Sequence, residues 1–183
     1  MKKIIIGIIT FTIFIMVMFY YNSNEKLSVN KKKLDKKDIK EFVQNKPYTL
    51  LYFWVSWCGY SQDGLVNDYY TNYGLLNNDT VQTMLIVLSD TVSVNTLMYN
   101  NNIKLPYKYL KGDSYPPVIG NLKDGYNRDE FIYDVFNYKY DDGFFFPTVL
   151  LVDNNMNGLT WSTKTYQLID YIRAIEKKKV SIK

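Results

Sequence analysis

Thr49-Leu50-Leu51-Tyr52-Phe53-Trp54-Val55-Ser56 runs directly into Trp57-Cys58-Gly59-Tyr60-Ser61, and the two together decide the fold. The first eight residues are almost wholly apolar or aromatic, which reads as a buried strand. The pattern breaks at Trp57-Cys58-Gly59 and resumes with helical spacing at Leu65, Val66, Tyr69, Tyr70 and Tyr73. Strand, cysteine, helix puts Cys58 at a helix N-terminus. There, unpaired amide N–H groups and the macrodipole favour a thiolate over a thiol. A lone cysteine is usually a small buried hydrophobe. This one stands at a strand-to-helix switch, and the reactive reading outweighs the bland one. Gly59 is expected to let the chain turn tightly and leave the sulfur accessible. Ser61 is expected either to donate a hydrogen bond to the Cys58 sulfur or to satisfy a free first-turn amide.

Composition bounds the chemistry. The chain has 183 residues, one cysteine and no histidine. That excludes a Cys-His dyad, a Ser-His-Asp triad, histidine-ligated metal or haem, and an all-protein thiolate metal site. An intrachain disulfide is excluded too. No metal and no cofactor are therefore expected. The net charge of +4 comes largely from lysines in a linker and the C-terminal tail. Arginine is nearly absent, with only Arg128 and Arg173, so the charge is not a nucleic-acid footprint.

Outward from the central stretch, residues 4 to 20 carry no charge, and none falls between Lys3 and Glu25. Seventeen residues in a helix span about 26 Å, close to a bilayer's hydrocarbon core. A cleavable signal peptide is the rival reading. Tyr21 to Asn24 offer its cleavage site poorly, so residues 1–21 are read as an uncleaved single-pass anchor. Residues 22–33 form a Lys-rich linker, whose basic run could also rest on anionic headgroups. The domain spans 34–183. Lys26, Lys31, Lys32, Lys33, Lys36 and Lys37 lie beyond the anchor, and that count alone favours a cytoplasmic domain. The Lys2-Lys3 pair abutting the apolar run favours export, and an extracytoplasmic domain is expected.

Within the domain, Asp35 or Asp38 is expected to cap a helix carrying Ile39, Phe42 and Val43, ending before Pro47. Residues 81 to 88 read as a second buried strand, and 91 to 101 as a helix. From Ile103 to Gly143 the pattern is irregular and rich in Pro, Gly and Tyr, with one helix expected from Asp129 to Tyr138. This insertion either shapes a partner surface or simply packs. Then come strand Thr148–Val152, a turn, strand Leu159–Ser162, and a helix through Tyr166, Ile169, Ile172 and Ile175. Asp153 to Gly158 matches the first half of a calcium loop, but the position of its bidentate Glu is Lys164, so a hairpin turn is expected, with Gly158 supplying a positive φ. Alternating strands and helices argue for an α/β sandwich.

Phe53-Trp54-Val55-Ser56-Trp57-Cys58-Gly59 resembles the active-site strand of the thioredoxin superfamily, above all its membrane-anchored bacterial thiol-disulfide oxidoreductases. Phe146-Pro147-Thr148 and the strand after it resemble that family's cis-proline loop. The resemblance covers roughly residues 34 to 178. It implies a three-layer sandwich around a central mixed sheet, with export of the domain. It implies a catalytic role for Cys58 and Ser61, and substrate contacts at Trp57, Gly59, Tyr60, Phe146, Pro147 and Thr148. Pro147 would be cis and face Cys58, exposing an edge on which a substrate strand pairs. The alternative role for Pro147 is starting a strand.

Three departures stand out. Ser61 replaces the second cysteine of C-x-x-C. Tyr52 stands six residues before Cys58, where an acid or amide is frequent. Val66 lies near the position of a common helix proline. Cys58-Gly59-Tyr60-Ser61 also resembles the Cys-Gly-Phe-Ser of monothiol glutaredoxins, which Trp57 and the anchor fit badly. Without an internal resolver, a mixed disulfide on Cys58 needs a substrate thiol, a small thiol or a partner protein for release. The expected partners are thiol- or disulfide-bearing proteins and the membrane. Two functions stay open: monothiol exchange, including isomerase-like shuffling, or a redox-inactive module that holds or presents a partner at the membrane.

Overall fold

The computed structural model describes residues 34, 36–88, 91–110, 122–139 and 145–181. The anchor, the linker, Asp35 and much of the 103–143 tract lie outside these. Among the described residues no helix is long and apolar enough to cross a membrane.

Elements follow in the order α1 (Lys36–Val43), β1 (Tyr48–Trp54), α2 (Gly59–Gly64), a π-helix (Leu65–Tyr70), α3 (Tyr73–Leu76), β2 (Val81–Val87), α4 (Thr91–Asn100), β3 (Tyr107–Tyr109), α5 (Leu122–Phe136), β4 (Thr148–Asp153), β5 (Gly158–Ser162) and α6 (Thr165–Ser181). The five strands form one mixed sheet in the order β3-β2-β1-β4-β5. β1 lies at its centre, parallel to β2 and antiparallel to β4.

Period-2 alternation sorts β1 between two cores. Leu50, Tyr52 and Trp54 pack with Leu65, Tyr69 and Leu76, with Val94 and Met98 of α4, and with Leu168 and Ile172 of α6. Leu51 and Phe53 pack on the other face with Ile39 and Val43 of α1 and Phe131, Ile132 and Phe136 of α5. Burial on both faces explains why β1 reads as a continuous apolar run rather than an alternation. The result is an α/β sandwich around a mixed five-stranded sheet, as the alternation of strands and helices implies.

Several local expectations need correction. The helix after Cys58 is not uniform. It widens into a π-helix at Leu65–Tyr70, and this segment buries Asp68. Asp68 accepts hydrogen bonds from the Thr165 amide (2.8 Å) and hydroxyl (2.7 Å), and from the Asn72 amide (3.2 Å). Bonds to a charged acceptor contribute about 1.5–3 kcal/mol each. They tie the π-helix to the first turn of α6, where a negative charge is favoured.

Helix α5 begins seven residues before the expected Asp129 and stops at Phe136. Asn137 ends it by taking a left-handed φ of 49°, and its amide reaches back to the Tyr133 carbonyl at 2.9 Å. Strand β3 was not expected at all. Three residues paired only to β2 carry too little pattern to be read.

The positive φ of the β4–β5 turn belongs to Met156 (70°), not Gly158. Gly158 answers a different demand: a Cβ there would stand 2.6 Å from Cδ2 of Tyr138. The turn itself is held by Asp153, whose carboxylate accepts the Asn155 and Asn157 amides at 2.9 Å. Partial burial pushes this carboxyl up, but the Asn157 and Asn155 hydrogen bonds outweigh it and hold it below the usual value.

Candidate functional site

Sheet register brings the site together. β4 runs antiparallel to β1 with Thr148 opposite Phe53, so the residues just before Thr148 lie at the end of β1 where Cys58 follows. The Phe146–Pro147 peptide bond is cis. Cys58 is the N-cap of α2 with extended backbone angles (φ −103°, ψ 115°), and its carbonyl accepts the Ser61 and Gln62 amides at 3.0 and 3.1 Å. Its side chain is half-buried, and Sγ donates to the Phe146 carbonyl at 3.5 Å. Trp57 packs edge-on against the Phe146 ring with centroids 5.5 Å apart.

The other predicted residues divide between surface and interior. Tyr60 is 82 % exposed and Trp57 41 %, so both lie open to a partner. Gly59 is exposed, in helical backbone, and a Cβ there would meet nothing within 4 Å. The turn therefore does not demand glycine. Phe146, Pro147 and Thr148 are buried. Ser61 is also buried, and its hydroxyl oxygen accepts the Val55 amide at 3.1 Å. That bond closes the strand-to-helix corner. The structure records no bond between Ser61 and the Cys58 sulfur.

Tyr52 lies behind the site. It is fully buried, its ring meets that of Tyr69 at a tilt of 47° with centroids 4.7 Å apart, and its hydroxyl has no hydrogen-bond partner among the described residues. Burial raises its pKa well above the ordinary value, and the negative charges of Asp68 and others nearby add to this. The phenol therefore stays neutral, a donor rather than a base. Gly64 makes room for it: a Cβ there would stand 2.6 Å from the Tyr52 hydroxyl and 3.0 Å from Pro147 Cγ.

This three-way contact yields a prediction. Gly64→Ala is expected to destabilise by about 1–3 kcal/mol through overpacking, beyond the roughly 1 kcal/mol that alanine gains in a helix. Tyr52→Phe removes an unsatisfied buried hydroxyl and is expected to be neutral or stabilising by about 1 kcal/mol. In the Tyr52→Phe background, Gly64→Ala is expected to lose at least about 1 kcal/mol of its cost. Urea unfolding of the four proteins measures the coupling, and strictly additive effects would refute the contact.

Sequence reading missed Arg128. Its side chain is fully buried in α5. Nη1 donates to the Phe145 carbonyl and to Thr148 Oγ1, both at 2.6 Å, and Nε donates to Asp129 Oδ1 at 2.7 Å. The guanidinium carbon lies 4.9 Å from the centroid of the Phe146 ring. Thr148 completes the grip by donating its own hydroxyl to the Phe145 carbonyl at 2.5 Å. A signal existed in the spacing. Arg128 precedes Phe131 by three residues and Ile132 by four, so it falls on the apolar stripe of the helix.

No family model matches the chain, and no curated protein matches it. Solved structures similar to it include a thioredoxin-related protein from Neisseria meningitidis serogroup B, with a TM-score of 0.47 and 12 % identity over 72 % of this chain and 87 % of that one. StoA from Bacillus subtilis aligns with a TM-score of 0.44 and 14 % identity over 70 % of this chain and 84 % of that one. A thiol-disulfide isomerase from Corynebacterium glutamicum aligns with a TM-score of 0.43 and 14 % identity over 74 % and 79 %.

Proposed function

We propose that this protein is a thioredoxin-fold thiol-disulfide exchange protein that works through Cys58 without an internal resolving thiol. One observation carries the reading: a half-buried Cys58 sulfur at a helix N-cap, 3.5 Å from the carbonyl that precedes a cis-proline. The chemistry is a balanced exchange. The Cys58 thiolate attacks one sulfur of a partner disulfide, forming a mixed disulfide and releasing the other sulfur as a thiolate. An external thiolate, from the partner, a small thiol or a second protein, then attacks the mixed disulfide and frees Cys58. No net oxidation occurs. The exposed rings of Trp57, Tyr60 and Phe145 (54 % exposed) offer apolar contacts to a protein partner.

We place the domain at a membrane, outside the cytoplasm, on the charge-free run of residues 4 to 20. Protease added to intact cells is expected to reach it, and washed membranes to retain it. A domain protected inside, or released in soluble form, would overturn this placement.

Exchange itself is tested with a peptide disulfide. The protein is expected to accumulate a peptide adduct on Cys58, visible by mass. Release of that adduct is expected to rise in proportion to added thiol. Absence of the adduct, or release at a rate indifferent to thiol, would refute the monothiol reading. The second reading, a redox-inactive binding module, draws support from Ser61, whose oxygen is committed to the Val55 amide, and from Tyr52, which supplies no proton acceptor.

A further inference from the structure

A buried guanidinium is costly unless the groups around it compensate its lost hydration. Among the described residues, Asp129 is a carboxylate beside Arg128, with Nε 2.7 Å from Oδ1. Burial pushes the Asp129 carboxyl up, and Arg128 beside it lowers it without reversing that shift. The ion pair is only one part of what surrounds the guanidinium. Its contacts also include three residues around Pro147: the Phe145 carbonyl, the Phe146 ring and the Thr148 hydroxyl. The middle residue of that set, Phe146, presents its carbonyl to Cys58.

We propose that Arg128 is the positioning residue of the Cys58 site. Its planar fork and its seat on the Phe146 ring hold the loop from Phe145 to Thr148, so that the Phe146 carbonyl and ring stand against the sulfur and define the lane by which a disulfide-bearing peptide reaches it. The presentation of peptides rests on the exchange reading above; the hold on the loop does not. The insertion helix thereby acquires a role: α5 delivers a cation to the underside of the loop. Lysine is a poor substitute, because a point charge does not make two directed bonds and stack on a ring at once.

Two readouts on the full chain separate the claims. The first is the ratio of Cys58 alkylation rates by iodoacetamide and by a bulky maleimide, which reports how closely the loop covers the sulfur. The second is the rate of exchange with a peptide disulfide. Arg128→Met is expected to lower the small-to-bulky ratio about fivefold and peptide exchange about tenfold, with Arg128→Lys recovering less than half of either loss. Thr148→Val, which keeps the arginine and removes one of its partners, is expected to shift the ratio in the same direction by about twofold, and it carries the test should Arg128→Met not fold. Ile132→Ala, in the same helix but packed in the core, is expected to destabilise comparably and leave the ratio unchanged at temperatures where it is folded. An unchanged ratio in folded Arg128 and Thr148 variants, or an equal shift in Ile132→Ala, would overturn the proposal. A parent that alkylates but exchanges with no peptide disulfide would overturn the exchange reading, while the alkylation ratio alone would still decide for or against Arg128.

Discussion

Ser61→Cys is expected to convert the protein from thiol-dependent exchange to a self-resolving dithiol reductase. The Ser61 amide bonds to the Cys58 carbonyl at 3.0 Å, which closes a turn over residues 58 to 61. Such a turn brings its first and last Cα atoms within about 7 Å, compatible with a disulfide's usual span of about 4.4–6.8 Å. The new thiol would lie in the buried corner that Ser61 now fills. Sulfur is a weaker acceptor for the Val55 amide, so the reduced variant is expected to lose about 1 kcal/mol of stability. In exchange, a thiol held one turn away competes with millimolar thiol in solution at a far higher effective concentration. Release of the partner thiol from the mixed disulfide in a single turnover is expected to rise on the order of a hundredfold at low added thiol, leaving an internal disulfide that added thiol reduces for the next cycle, and mixed disulfides to stop accumulating. Mass spectrometry after mild oxidation should find the variant two hydrogens lighter. A variant that stays reduced under oxidant would contradict the placement of the turn. One that forms the bond yet reduces nothing would show that the surface around Trp57 and Phe146 serves binding alone.

Cys58→Ser carries the second large effect. Serine keeps the N-cap geometry and is itself a good cap, so the fold should hold or gain slightly. Its hydroxyl does not attack disulfides at neutral pH, and exchange is expected to fall by at least about a thousandfold, to the uncatalysed background. The same variant separates the two functional readings. If Cys58 is the nucleophile, peptide adducts vanish and peptide disulfides pass unchanged. Persisting exchange in Cys58→Ser would exclude Cys58 as the reacting group, since the chain has no other cysteine. Unaltered affinity for a peptide, with no exchange in the parent, would favour the binding module.

The candidate site was legible in sequence as far as its signals were local. A strand ending in Trp57-Cys58-Gly59 and a Phe146-Pro147-Thr148 before a second strand each occupy a few neighbouring residues, and each implied its backbone. Zero histidines and one cysteine bound the chemistry by composition alone. The role of Ser61 was not legible, because its oxygen chooses between a sulfur and an amide by the angle at which strand meets helix. The Tyr52–Gly64–Pro147 contact was not legible either, since it forms only when three segments converge.

The sequence by itself determined the order of the main elements other than β3, the burial of β1, and the placing of the lone thiol at a strand-to-helix switch. Periodicity and turn chemistry act over a few residues, and that is the range a linear pattern reports. Only the tertiary structure decided what stands around the sulfur. Asp68 meets Thr165 across 97 positions, and Arg128 grips a loop 17 to 20 residues further along. Both are charged side chains taken out of water, and their desolvation is compensated by partners that sequence distance hides. Sequence reading treated Arg128 as one of two scattered arginines. In the fold it is a buried cation beneath the loop that faces Cys58.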